Sequence, residues 1–348
     1  MTRYALLVSP SANRVYARAA ADLTLAELGV LGTTVLGGRL GDARREEVAG
    51  VEYVGFDGDL DTTAVAHLGN VSTAFALFER PDGDTFRPVT LPRLDCLDDD
   101  LVTILKYQGK TNELFTKLLL NVTVLASRSA DRMLTDRLRV LDPLCGRGTT
   151  LNQVLMYGWH ASGVERDAHD FDTYAAFLTR WLKDKRLKHT ATTAKLRRDG
   201  RTLGRRLDVE LATVKEAWVA GDTISVSVAL ADTRATGEVF KAASVDAIVT
   251  DAPYGVQHGS HGGSRGDEAL HRRPLDLLSA ALPGWVHVLR PGGAVGIAVN
   301  TRTCPRDHAL ALLADAGLDP RDDAAYRGFE HRVDRAITRD LVVGVKPA

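Results

Sequence analysis

Short apolar runs bounded by glycine, proline and aspartate alternate along this chain with longer stretches whose apolar positions recur at helical spacing. "RYALLVS" at residues 3–9 predicts a strand, and "NRVYARAAADLTLAELGVLG" at 13–32 predicts a helix that stops on a glycine. "VEYVGFDG" at 51–58 predicts a second strand. "TTAVAHLGNVSTAFALFER" at 62–80 predicts a helix running into a strand at "STAFALFE". The resulting β-α-β-α-β order describes a small α+β module over residues 1–95. "RPDGDTFRPVTLPRLDCLDDD" at 80–100 is rich in Pro and Asp and predicts a linker.

From residue 103 to 348 the pattern changes. In "TNELFTKLLLNVTVLASRSA" (111–130), Leu114, Phe115, Leu118, Leu119, Val122 and Leu125 share one broad helix face. Thr111 is the expected N-cap, with Glu113 favourable in the first turn. "RLRVLDPLCGRGTT" (137–150) predicts a strand entering a glycine-rich turn, "TLNQVLMYG" a helix and "HASGVERD" a strand. "ISVSVALADT" and "VDAIVTDAPYG" predict two more strands. "LDLLSAALPGWVHVLRPGGAVGIAV" predicts a helix, a Pro-Gly-Gly turn and a strand. "CPRDHALALLADAGLDP" predicts a helix and "RAITRDLVVGVKP" a final strand. Strands alternating with helices imply a doubly wound, mostly parallel α/β sheet.

Composition changes this picture little. At 348 residues, 45% hydrophobic and 26% charged, the chain has material for two domains and a large core. Cys96, Cys145 and Cys304 lie far apart with no C-x-x-C, so neither a zinc site nor a disulfide framework is expected, and free thiols in a reducing cytosol are. The N-terminal stretch lacks the apolar core of a signal peptide. No run of 18 or more apolar residues occurs, so a cytoplasmic protein without a membrane span is expected.

Charge is more informative. The net charge is −1, yet acids dominate residues 1–100 and bases dominate "RWLKDKRLKHTATTAKLRRDGRTLGRR" at 180–206, where only Asp184 and Asp199 oppose them. Such a run is either a solvated helix face or a phosphate-binding surface. On the second reading Lys183, Lys185, Arg186, Arg197 and Arg198 contact nucleic acid. Arg327, in "YRGFEHR" with His331, either touches RNA or sits on a surface.

The turn "VLDPLCGRGTTL" (140–151) has Gly146 and Gly148 where a helix follows a strand, the place where open α/β sheets bind ligands. It is not a dinucleotide fingerprint, since Leu151 fills the third glycine position. Asp142 before the turn would repel a pyrophosphate and attract an ammonium group. Glu165 ends the next strand and can accept ribose hydroxyls, and Asp232 ends the one after and can accept from an adenine amine. Carboxylates at three strand ends suit a cationic ligand made of amino acid, ribose and adenine: S-adenosyl-L-methionine. Taken singly, each group also fits a blander role as a turn or a helix cap.

In "VDAIVTDAPYG" the strand ends in Asp251-Ala252-Pro253-Tyr254-Gly255. A nucleobase amine is a poor nucleophile because its lone pair is delocalised into the ring. The Asp251 carboxylate and the Ala252 carbonyl could accept from its two hydrogens, with Pro253 restricting Ala252 to extended geometry and Tyr254 stacking on the base. An ordinary strand-to-turn junction is the alternative.

These residues match a known family. "DPLCGRGTTL" resembles the D-P-x-C-G-x-G-T of class I methyltransferases acting on exocyclic amines, and "DAIVTDAPYGV" resembles their D/N-P-P-Y/F signature. "KYQGKTNELFTKLLLNVT" resembles the preceding motif that helps hold the methionine end of the cofactor. With "VDRAITRDLVV" near the end, the set is most similar to the tRNA guanine-N2 methyltransferases that carry a THUMP domain. The resemblance covers residues 103–348. It implies a Rossmann-like class I methyltransferase fold with an antiparallel last strand, a target in tRNA or rRNA, and a base flipped out of its stack. It adds Thr116, Cys145 and Thr149 to the cofactor-binding set. Ala252 departs from the family's first proline, and residues 1–95 match the ferredoxin-like module of such enzymes but leave little room for a THUMP. The alternatives are a DNA adenine-N6 or cytosine-N4 methyltransferase, and a degenerate RNA-binding module. The histidines of "HGSHGGSRGDEALHRR" (258–273) lack metal spacing and predict a loop without a metal.

Overall fold

The computed structural model describes residues 1–11, 13–82, 85–107, 109–198, 200–253 and 274–348. The N-terminal module consists of β1 (Thr2–Val8), α1 (Arg14–Thr33), β2 (Arg44–Val48), β3 (Val51–Gly58), α2 (Thr62–Gly69), β4 (Ala74–Glu79) and β5 (Arg87–Val89). Its antiparallel sheet has the order β2-β3-β1-β4-β5. The periodicity predicts only three strands here. The missed β2 reads "RREEV" and has no apolar alternation, because it is an edge strand of charged residues, with Glu46 ion-paired to Arg3 and Arg80. Tyr4, Leu6, Val54, Phe56 and Leu77 build the core beneath α1 and α2.

The second part begins with α3 (Asp100–Thr103) and α4 (Glu113–Ala126). It continues with β6 (Arg139–Asp142), α5 (Thr149–Met156), β7 (His160–Glu165), α6 (Ala168–Asp184), β8 (Lys188–Arg198), β9 (Arg201–Ala212), α7 (Lys215–Ala220), β10 (Ile224–Leu230) and α8 (Thr236–Val239). It ends with β11 (Val245–Asp251), α9 (Pro274–Val288), β12 (Leu289–Asn300), α10 (Arg306–Asp315), β13 (Asp319–Arg321), β14 (His331–Arg332) and β15 (Thr338–Val345). The sheet order is β13-β15-β12-β11-β6-β7-β10-β9-β8, with β14 beside β15. β12, β11, β6, β7 and β10 run parallel to one another, while β15 runs antiparallel to β12 and β9 antiparallel to β10. This is the Rossmann-like class I methyltransferase arrangement, carrying an extra N-terminal module. The central strands are apolar on both sides because helices cover both faces, so Ala247, Ile248 and Val249 are fully buried.

Two local expectations are corrected. Asn112, not Thr111, caps α4: its Oδ1 accepts from the amides of Leu114 and Phe115. The Pro-Gly-Gly segment is a bulge inside β12 rather than a turn before it. The register with β11 shifts there, and a side chain at Gly293 would meet the Asp246 carbonyl at 2.7 Å.

The two parts share a buried polar junction. Glu27 of α1 is fully buried and accepts from the Ser72 amide (3.0 Å), the Ser72 hydroxyl (2.6 Å) and Nδ2 of Asn121 on α4 (2.6 Å). Asn121 also donates to the Asn70 carbonyl (2.8 Å), and its Oδ1 accepts from the Tyr157 hydroxyl (2.8 Å). Burial pushes the Glu27 carboxyl above its ordinary range, and these donors offset part of that penalty. Glu27→Ala is expected to lower stability by about 3 kcal/mol in urea unfolding, since it orphans Asn121 and Ser72 together, and Glu27→Gln by less. An alanine variant as stable as the parent would show that the junction adds nothing.

Candidate active site

The carboxyl ends of β11, β6, β7 and β10 are adjacent and open onto one cavity of about 200 Å³. Its walls include Pro143 and Leu144 after β6, Val164 and Glu165 at the end of β7, Asp232 after β10, and Asp251 and Pro253 at the end of β11. Parallel connectivity brings these groups together, since every such strand points its C-terminal tip the same way.

Asp142 is buried, accepting from the Leu144 amide (3.0 Å) and the Thr250 hydroxyl (2.7 Å), and burial pushes its carboxyl up to about 6. Glu165 accepts from the Gly146 amide (2.8 Å) and the Asp167 amide (2.6 Å), and burial pushes it up to about 7. Gly146 sits at φ +50°, with no atom within 4 Å of where a Cβ would stand, so a ligand can approach the backbone there. Gly148 has a different reason. It takes φ +80° as the N-cap of α5, and a Cβ would lie 2.1 Å from the Tyr174 ring.

Asp232 caps the short turn Thr233–Ala235 through the Arg234 amide (2.9 Å) and is gripped by the Arg234 guanidinium at 2.8 and 2.7 Å. Those hydrogen bonds hold its carboxyl below the usual range. Asp251 accepts at Oδ2 from the Thr111 hydroxyl and from Nη2 of Arg339 (3.4 Å). Arg339 is buried on β15 and lies 4.5 Å from the Phe115 ring centroid. Phe115 packs on His331 (5.2 Å between centroids), and His331 meets the Tyr16 ring of α1 edge-on at 6.2 Å. Burial pushes His331 down to about 4, so it packs as a neutral ring against the arginine.

The structure redistributes several candidates. Thr116 lies inside α4 and spends its hydroxyl on the Asn112 carbonyl (3.1 Å). Cys145 turns its buried thiol into the core against Gly163, leaving only its backbone at the turn. Thr149 shares a hydrogen bond with the Tyr107 hydroxyl (2.9 Å), over whose ring Arg147 lies at 4.9 Å. Ala252 is buried in the apolar cluster around Leu278 and Leu282, and its amide donates to the Ala298 carbonyl (3.0 Å). Tyr254 and the loop 258–273 lie outside the described residues.

Lys183 lies in the last turn of α6, a helix that runs back from the tip of β7, and Lys185 and Arg186 follow it, away from the cavity between the strand tips. Lys185 is engaged by Asp98 (2.8 Å) and Asp100 (2.7 Å). Arg327 is paired to Asp322 (2.6 Å) beyond β13. Arg197 and Arg198 end β8, on the cavity's side of the sheet. The sequence reading missed Thr111 as a partner of Asp251, and Arg339 and Tyr107 altogether. The one signal for Arg339 was an arginine in the polar opening of a strand that is apolar from Leu341 on, "TRDLVVGV".

Among the described residues no group of three or more His, Cys, Asp or Glu could hold a metal ion, and no helix is long and apolar enough to cross a membrane.

Residues 128–293 match the family model described as UPF0020, RMKL-like, methyltransferase domain. No curated protein matches the chain. Among solved structures it is similar to a TehB-like SAM-dependent methyltransferase from Corynebacterium glutamicum, at 13% identity, 63% of this chain, 85% of that chain and TM-score 0.35. An rRNA methylase from Streptococcus thermophilus is 10% identical over 62% of this chain and 91% of that one, with TM-score 0.32. A T. thermophilus 16S rRNA N2 methyltransferase in complex with AdoMet and guanosine is 13% identical over 60% of this chain and 35% of that one, with TM-score 0.29. Likenesses at this level say nothing of the substrate. The family match and the strand-tip carboxylates agree on a methyltransferase domain whose cofactor is S-adenosyl-L-methionine. The open space over Gly146 and the acidic walls fit that cationic ligand.

If Glu165 accepts from the cofactor's hydroxyls and Asp142 attracts its positive charge, both must be ionised, yet both hold protons at higher pH than ordinary carboxyls. Cofactor binding therefore releases protons, and affinity is lost as pH falls through about 7 and then about 6. Calorimetric titration is expected to show weakening approaching tenfold per pH unit between about 7 and 6 and approaching a hundredfold per pH unit below both, and Glu165→Gln to flatten the upper part.

Proposed function

We propose that this protein transfers a methyl group to an exocyclic amine of an RNA base, with guanine N2 in tRNA or rRNA as the target. The observation that carries this reading is Asp251. Its carboxylate sits at the tip of β11, in the wall of the same cavity as Glu165 and Asp232, with Oδ2 held by Thr111 and Arg339.

S-adenosyl-L-methionine, when bound, supplies an electrophilic methyl group. The protein's task is then to aim a nucleophile at it, and positioning supplies much of the rate. In this reading the Asp251 carboxylate accepts from one N–H of the base amine and the Ala252 carbonyl from the other. That draws the nitrogen toward a tetrahedral shape and localises its lone pair. Thr111 and Arg339 approach one oxygen of Asp251 from two elements, α4's N-terminal flank and β15, and so fix the plane of the carboxylate. Once nitrogen has gained the methyl, its proton passes to Asp251. Pro253 walls the cavity at this point. The stacking role of Tyr254 rests on the sequence motif.

The choice of guanine N2 rests on the resemblance of the "DAIVTDAPYGV" and "VDRAITRDLVV" segments. Asp251→Ala is expected to reduce transfer of labelled methyl to RNA by about a thousand-fold or more, with cofactor affinity unchanged within about threefold. Mass spectrometry of digested product RNA should then find N2-methylguanine with the parent protein alone. Retained activity in the variant would overturn the clamp, and a methyl on another atom, or on DNA, would overturn the target.

A further inference from the structure

The hairpin β8–β9 is an addition to the cavity-bearing sheet, and its direction is informative. β9 runs antiparallel to β10 and β8 antiparallel to β9, so β8 points the same way as β10 and ends at the cavity's edge. The last residue of β10, Leu230, pairs with Arg205. Residues 196–198 and 200–204 therefore extend past the sheet, which at about 3.3 Å per residue is an overhang of about 13 Å.

The departure point is shaped for this. Gly204 takes φ +154°, and a Cβ there would lie 2.0 Å from the Leu230 carbonyl oxygen. The register of β8 and β9 also shifts between Leu196 and Arg197, which bends the strand. The overhang is then fastened: Arg198 donates to the carbonyls of Gly237 (3.2 Å) and Glu238, just after the Asp232–Arg234 segment of the cavity wall. Arg205 and Arg206 are engaged by Asp172 (3.0 Å) and Asp208 (2.8 Å). The side chains of Lys195, Arg197 and Arg201 are exposed and make no hydrogen bond or ion pair among the described residues. Three solvated cations on an arm fixed beside an active-site cavity are placed to meet a polyanion, not to stabilise the fold.

We infer that the β8–β9 tip holds the sugar-phosphate backbone of the RNA whose base enters the cavity, with Lys195, Arg197 and Arg201 contacting phosphates and Arg198 acting as the clip that sets the arm. This rests on the reading of the site as an RNA methyltransferase. It divides the basic run by position: Lys183, Lys185 and Arg186, away from the cavity between the strand tips, take no part.

The test is fluorescence anisotropy with labelled bulk tRNA and, separately, a labelled duplex DNA, across a range of KCl concentrations. Binding without turnover separates the arm from the catalytic clamp. The combined variant Lys195→Ala, Arg197→Ala, Arg201→Ala is expected to bind tRNA at least about tenfold more weakly and to lower the slope of log affinity against log salt by about 2 to 3, at roughly 0.7–0.9 per phosphate contact. Its cofactor affinity should match the parent's, which verifies folding. The pair Lys183→Ala, Lys188→Ala should leave the slope unchanged. Parent-like tRNA affinity and slope in the triple variant would overturn the arm while leaving the methyltransferase reading intact. Absence of tRNA binding by the parent, or a preference for duplex DNA, would overturn both the arm's RNA assignment and the proposed target.

Discussion

Three carboxylates, Glu165, Asp232 and Asp251, line one small cavity and a fourth, Asp142, is buried at the neighbouring strand end, and accommodating them organises the architecture. Asp142, Glu165, Asp232 and Asp251 stand at the ends of adjacent strands, where Coulomb repulsion and desolvation both act against them. Each is accommodated differently. Asp142 and Glu165 are buried among neutral donors and keep their protons to higher pH. Asp232 and Asp251 are ion-paired to Arg234 and Arg339. The site is thus a mixture of reserve acids and fixed anions, and a cation entering it meets groups that can give up protons to receive it. The glycine turn, the capping residues and the last strand all serve this partition.

How much of this was legible beforehand follows from the range of each interaction. The parallel strands could be read because both their faces are covered, so residues such as Ala247 to Val249 form apolar runs followed by Asp251 and Pro253. The acids at their tips could be read because strand ends are punctuated. What escaped depended on distant partners. Thr111 resembles a helix cap, yet its hydroxyl is spent on Asp251, 140 residues away. Arg339 reaches the same carboxylate across 88 residues. The charged edge strand "RREEV" has no periodicity to see, and the hairpin of β8 and β9 was hidden inside a run that reads first as charge.

The N-terminal module is more than an appendage in this arrangement. Tyr16 of its first helix lies against His331, which packs on Phe115, over which Arg339 rests on its way to Asp251. Lower down, Glu27 joins Ser72, Asn70 and Tyr157 through Asn121 of α4. The helix whose N-terminal flank presents Thr111 to Asp251 is therefore gripped by the module at two places. Close packing transmits such constraints because interiors have few soft spots.

Ala252 stands where comparable motifs carry a proline, and its surroundings explain why the exchange is tolerated. Its methyl group fills a pocket among Leu278, Leu282 and Trp285, and its amide is tied to Ala298 on the neighbouring strand. A proline would have no N–H to make that tie. The loop's stiffness has been handed from a pyrrolidine ring to the sheet itself. Natural variation at this position should accordingly be filtered by side-chain volume, admitting glycine or serine more readily than leucine, and lineages could drift through it without losing the trade.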